Sequence, residues 1–154
     1  MMRMNIFKVN LSAINPKDEH RQTLPIEAIV DPGSLLSWMP REILLDIGIH
    51  SRGKKRFKTA DGKIIERDFG FAILSVEGYS TIDEVVFAEK GDLTLLGVRT
   101  LEGFCVLVDN IGHRFVATTS LATAAYETYR TLEDLGGVAG SCVDMYLYNA
   151  CFIQ

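Results

Sequence analysis

The sequence is short of the features that define several protein classes. It has no run of about 18 apolar residues, the length a membrane-crossing helix needs, so no membrane partner is expected. Near the start, Asn5, Lys8 and Asn10 interrupt the apolar residues before they reach the length of a secretory leader's core, so no signal peptide is expected there. There are only three cysteines, Cys105, Cys142 and Cys151. An odd count at spacings that match no metal motif suits buried or free thiols in a reducing cytoplasm. His20, His50 and His113 are scattered, with no cysteine or carboxylate at ligand spacing, so neither a metal nor a cofactor is expected. Ser34, Ser37 and Ser51 lack a Gly-x-Ser-x-Gly frame, which removes support for a serine hydrolase. Positive charge is not in excess either. Sixteen Lys and Arg against twenty Asp and Glu leave a net charge of −4, and a nucleic-acid partner would favour a basic face. No self-similarity occurs at the 20–50-residue periods of solenoids.

What remains is an ordinary globular composition, 47% hydrophobic and 23% charged. The 154 residues suit one domain, at about 100–200 residues per domain. Short apolar stretches punctuated by turn residues point to strands. Residues 4–14 and 24–30 read as two strands of a hairpin, joined by a polar loop over residues 15–21 that contains Pro16. Asp31-Pro32-Gly33-Ser34 then breaks the chain before Leu35–Met39, a nearly continuous apolar run that reads as a buried strand. Pro40 fits the first position of a helix, Ile43, Leu44 and Ile47 share one face of it, and Gly48 suits its C-terminal cap. Asp61-Gly62, within residues 54–67, is a tight-hairpin signal. Residues 71–76 and 81–87 read as strands around Glu77-Gly78. A short strand over 93–96, a helical turn or two over 98–102 and strands over 104–108 and 114–117 complete the pattern. Beyond it, residues 121–135 have helix-compatible spacing up to Gly136-Gly137, and 143–153 are apolar and aromatic without clear period.

Asp31-Pro32-Gly33 alone is a weak signal, because Asp, Pro and Gly are the commonest turn formers. Its frame is more informative. The turn lies between two apolar stretches, 26–30 and 35–39, which sets a carboxylate beside a core. A fainter internal similarity accompanies it: Ile29-Val30 and Leu95-Leu96 are both apolar pairs that lead towards a glycine and then a short helix.

With these residues in view, the chain resembles the retropepsin-like aspartic proteases, in particular the small single-domain bacterial and archaeal type. Val30-Asp31-Pro32-Gly33-Ser34 resembles their Asp-Thr/Ser-Gly-Ala/Ser signature, and residues 38–44 resemble the segment that follows it. Thr59-Ala60-Asp61-Gly62-Lys63 resembles their flap hairpin. Residues 95–102 resemble their apolar-apolar-Gly motif with its short helix, and Val108-Asp109 the strand end after it. The resemblance spans about residues 4–117. It implies a mainly β, closed β-barrel acid-protease fold, half of a pepsin-like molecule, with one or two short helices over residues 1–117. Residues 118–154 would then be an added C-terminal helical segment.

The resemblance also implies a mechanism. Each chain of a homodimer would supply one Asp31. Two carboxyl groups a few ångströms apart cannot both ionise, so the pair shares a proton. The charged member activates a water against a peptide bond, and the protonated one acts on the scissile carbonyl. Pro32, Gly33 and Ser34 would form the active-site loop, with the Ser34 hydroxyl able to reach the Asp31 carboxylate. Ala60, Asp61 and Gly62 would cover the peptide substrate. Leu95, Leu96, Gly97 and Asp109 would be structural. One position departs from the pattern: Pro32 stands where the family has Thr or Ser, and it removes a hydroxyl and an N–H that brace the dyad across the two chains. A non-catalytic dimerising or peptide-binding member of the same fold is therefore the alternative, and a small β-barrel that merely contains an Asp-Pro-Gly turn is a third. The basic cluster of Arg52, Lys54, Lys55, Arg56 and Lys58 reads as a solvated strand beside the flap.

Overall fold

The computed structural model of the protein describes residues 6–118. These residues are mainly β, with two short helices. Alternation sets which side of each strand is buried. In β1 (Lys8–Asn15), Val9, Leu11 and Ala13 point inward while Lys8 and Asn10 face solvent. β3 (Ile26–Val30) pairs antiparallel with β1, from Lys8↔Ile29 to Leu11↔Ile26. The expected partnership of these two stretches is thus present, but the connection is not a loop. It contains β2 (Asp18–Gln22), which turns back on the far end of β1 and has all five residues exposed. The proposed strand start at Met4 lies outside the described residues, and β1 begins at Lys8.

β4 (Ser37–Pro40) leads directly into α1 (Arg41–Asp46). Pro40 is the residue before the helix and not its first member, because its ψ of 132° is still extended. Gly48, at φ 81°, closes the helix. Its N–H donates to the Leu45 carbonyl at 2.9 Å and the Ile49 N–H to Leu44 at 3.0 Å, the paired bonds of a Schellman motif. Leu44 and Ile49 are both buried in the core, so the cap also has its apolar contact.

β5 (Gly53–Lys58) and β6 (Ile64–Val76) form a hairpin, with register from Gly53↔Phe69 to Lys58↔Ile64. The Asp61-Gly62 signal marks this hairpin, but the loop spans five residues and not two. The Thr59 N–H donates to the Lys63 carbonyl at 2.8 Å, and only Gly62 takes a positive φ. β6 runs without a break through 13 residues, where two separate strands were expected. It turns at Glu77 and Gly78, φ 50° and 87°, into β7 (Tyr79–Ala88), a two-residue connection of the kind whose twist suits a hairpin. β8 is only Leu95–Leu96, α2 is Val98–Gly103, and β9 (Val106–Asp109) pairs with β10 (Arg114–Ala117) as a separate ribbon. The expected helical segment over 121–135, the 143–153 stretch, Cys142 and Cys151 lie outside the described residues. Cys105 is exposed and has no disulfide partner among the described residues.

The main sheet has the order β2-β1-β3-β8-β4-β7-β6-β5, and β1 also pairs with β6 through Ser12↔Ser75 to Ile14↔Ile73. The interior is filled by Leu11, Met39, Leu44, Leu74, Val85, Phe87 and Leu96, all with no exposed surface. Each such large side chain contributes about 1.5–3 kcal/mol through burial. A smaller cluster of Leu36, Trp38, Val86 and Ala88 holds Phe57, Ile65 and Leu95 against it. It ties the β5–β6 hairpin to β4 and β8, with the Trp38 and Phe57 rings 4.8 Å apart. Among the described residues, no helix is long and apolar enough to cross a membrane.

Candidate active site

Asp31 directly follows β3, where that strand runs parallel to β8. The register is Ile29↔Leu95 and Val30↔Leu96, so the two similar apolar pairs lie side by side. The ladder continues one step further, with the Asp31 N–H donating to the Leu96 carbonyl at 3.0 Å. Backbone on both sides therefore fixes where the carboxylate leaves the sheet. The chain then turns through Pro32 and Gly33, both exposed, and the Ser34 N–H returns to the Asp31 carbonyl at 3.1 Å. Within that turn the Gly33 N–H donates to Asp31 Oδ1 at 2.9 Å. One carboxylate oxygen is thus oriented by its own loop, and Asp31 itself is half-buried. Among the described residues, its other oxygen has no protein donor and is left for a water or a partner group.

Ser34 does not bond the carboxylate. Its hydroxyl donates to the Leu36 carbonyl at 2.8 Å, because the turn directs the side chain along the outgoing backbone. The same outgoing backbone supports α2. The first helical N–H groups lack partners inside the helix, and here Val98 donates to the Ser34 carbonyl at 2.8 Å and Arg99 to Leu35 at 3.1 Å. Gly97 makes this contact possible. A Cβ there would stand 2.4 Å from the Leu36 carbonyl carbon and 2.5 Å from its oxygen.

Behind the loop lies a polar chain that the sequence does not announce. The Gly97 N–H donates to Ser37 Oγ at 2.9 Å, Ser37 Oγ is 2.6 Å from Thr100 Oγ1, and Thr100 Oγ1 donates to Asp83 Oδ2 at 3.1 Å. A carboxylate can only accept, so Thr100 spends its proton on Asp83 and Ser37 must donate to Thr100. The chain is directional, and Ser37, Thr100 and Asp83 are all buried. At its far end, Asp83 Oδ1 accepts the Glu84 N–H at 2.7 Å and lies 3.3 Å from Arg99. Residues 37, 83 and 100 are too far apart for any motif to join them.

Ala60, Asp61 and Gly62 form the exposed tip of the β5–β6 hairpin. The Thr59 hydroxyl bonds Asp61, and together with contacts to Lys63 it holds this carboxyl below its usual range. Asp61 therefore stays ionised, and its bonds are confined to its own hairpin loop. Of the flanking basic residues, Lys55 pairs with Glu84 and holds that carboxyl low, and Lys54 lies 3.6 Å from Glu66. Four phenylalanines of β5, β6 and β7 differ in burial. Phe87 is fully buried, Phe57 and Phe69 are half-buried, and Phe71 is exposed. Asp109 closes the β9–β10 turn, accepting the N–H groups of Ile111 and Gly112 at 3.1 and 2.8 Å. Among the described residues, no three His, Cys, Asp or Glu side chains gather as metal ligands. No protein-family model matches the chain, and no match was found among curated proteins.

Proposed function

We propose that this protein is an aspartic endopeptidase of the retropepsin-like type, in which Asp31 from two copies of the chain forms one dyad. The observation that carries the reading is the setting of Asp31. The carboxylate sits at the end of β3, whose Ala28 and Val30 are buried in the core, next to a parallel apolar pair and its glycine, with one oxygen oriented by the Gly33 N–H at 2.9 Å. The pairing of β1 with β6 supports a closed barrel, because the run β1-β3-β8-β4-β7-β6 then returns to β1. The β5–β6 hairpin, anchored through Phe57, supports a flap over an extended peptide. In this reading one Asp31 holds the shared proton, the other activates water, and no cofactor takes part. The protein would act in the cytoplasm on peptide or protein substrates, without a nucleic-acid or membrane partner.

The exposed Pro32 favours a second reading, a dimeric peptide-binding module without turnover, because it offers neither hydroxyl nor N–H to brace two carboxylates. One experiment separates the two. A peptide pool is incubated at mildly acid pH with the parent protein and with Asp31→Asn, and the mass of each is measured by sedimentation. Cleavage by a dimer of the parent alone supports the protease. A dimer that binds peptides without cleaving them supports the module, and a species of only 17.1 kDa at tens of micromolar counts against both.

A further inference from the structure

Away from Asp31, the β1–β2 turn and the α1–β5 connection enclose a recess of about 330 Å³, near the lower end of the size range of small-molecule sites. Its walls are built before any ligand arrives. Asn15 donates from its buried side chain to the Ile47 carbonyl at 2.9 Å and accepts the Lys17 N–H at 2.9 Å. Arg21 donates to the Asp46 carbonyl at 3.0 Å, and its guanidinium packs where a Cβ on Gly48 would stand, 2.5 Å from Nη1. The Arg52 N–H is pinned to the Phe69 carbonyl at 2.7 Å.

Two properties of this recess call for a ligand. The first is its charge. Lys17, His50 and Arg52 line it and no Asp or Glu does. Among the described residues, Lys17 and Arg52 make no ion pair, in a chain whose net charge is −4. The nearby Glu84, opposite Phe71 on β7, is already engaged by Lys55 and Arg99. The second is an apolar shelf. Phe71 and Ile82 belong to it with 42% and 63% of their surface exposed, and the Arg52 guanidinium lies 5.7 Å from the Phe71 ring centre. A guanidinium held on an aromatic face keeps its N–H edge free for a planar anion.

We propose that this recess binds a small carboxylate that carries one aromatic or branched aliphatic group. The apolar body rests on Phe71 and Ile82, and the carboxylate meets Arg52 and Lys17. Nothing in this binding involves Asp31, so it stands or falls independently of peptidase activity.

The test uses the full-length ¹⁵N-labelled protein titrated with 3-phenylpropionate, and with 3-phenylpropionamide as the uncharged control. Saturable amide shifts should centre on Gly48, Ile49, Arg52, Phe71 and Ile82. Losing the charge-assisted bonds, in the amide or in the double variant Lys17→Gln with Arg52→Gln, should weaken binding about tenfold or more. Phe71→Ser should weaken it as well, and Asp31→Asn should leave it unchanged. The same spectra show whether each variant is folded. Equal binding of the amide, shifts centred elsewhere, or no saturable shift at millimolar ligand would overturn the proposal.

Discussion

Gly97 and Leu36 approach so closely that a Cβ on the glycine would lie 2.4 Å from the Leu36 carbonyl carbon. This contact joins the start of α2 to the segment leaving the Asp31 turn. A methyl group there meets backbone, which cannot swing aside as a side chain can. Gly97→Ala should therefore lower stability by about 1–3 kcal/mol or more, the usual cost of overpacking. The denaturation midpoint in urea would move down. An unchanged midpoint would mean that α2 and the Asp31 turn can separate without loss.

The chain from Gly97 through Ser37 and Thr100 to Asp83 gives a second prediction. Thr100→Val keeps the shape of the side chain but removes the hydroxyl. It leaves Asp83 Oδ2 short of a donor and the Ser37 proton without an acceptor, both in buried surroundings. A buried group left without its partner costs about 1–3 kcal/mol. Thermal unfolding should show the loss, whereas Thr118→Val, which removes only a solvent-exposed bond to the Cys105 carbonyl, should have much less effect. A neutral result at Thr100 would mean that water replaces the hydroxyl.

Much of this architecture is legible from residue order, for definite physical reasons. β1 and β3 alternate because one side of each faces the core. The end of β7 is a continuous apolar run because Val85 and Phe87 pack into one cluster and Val86 and Ala88 into the other. The Leu96-Gly97 motif declares itself because only glycine fits against Leu36. β2 is illegible because all five residues, Asp18–Gln22, are exposed and no apolar period exists to detect. β6 reads as two strands because Glu66, Arg67 and Asp68 interrupt its apolar residues. Those charges are accommodated by partners elsewhere, Arg67 by Asp92 and Asp68 by Arg41. Around Asp31, the loop itself can be read, but the route of the Ser34 hydroxyl to Leu36 and the polar chain to Asp83 follow from topology alone.

Acid should weaken the fold in a defined direction. The Arg67 guanidinium bonds Asp92 at 2.6 Å and 2.9 Å, and Arg41 bonds Asp68 at 2.6 Å; each holds its carboxyl below the ordinary value of 3.8. A carboxyl whose folded pKa is depressed contributes stability that is present above its unfolded pKa and lost as pH falls through the folded one. Stability should therefore hold through mildly acid pH and decline below about pH 4. Asp92→Asn should flatten that decline while lowering the plateau. Urea midpoints across the acid range check both, and a parallel decline in parent and variant would remove Asp92 from the linkage.

Pro32 gives the sharpest test of the proposed dyad. It occupies the second position of the turn closed by the Ser34 N–H on the Asp31 carbonyl at 3.1 Å, it is exposed, and many residue types accept that place. Pro32→Thr is therefore compatible with the turn. The cost lies in the unfolded chain, which gains freedom worth about 0.4–1 kcal/mol. In a dimer, each threonine would bring a hydroxyl and a backbone N–H to the floor of the site, and new bonds of about 1 kcal/mol each would offset that cost. Positioning is where the gain should appear, since small misplacements of reacting groups can cost on the order of 100-fold in rate. Gly33 already fixes one oxygen of each Asp31, and a cross-subunit brace would fix the relation between the two carboxylates. The variant should dimerise at least as well as the parent, match its stability and cleave a common peptide pool faster at mildly acid pH. Equal or slower turnover by an intact dimer would mean either that Pro32 is an adapted part of the site or that the two Asp31 loops do not meet as proposed.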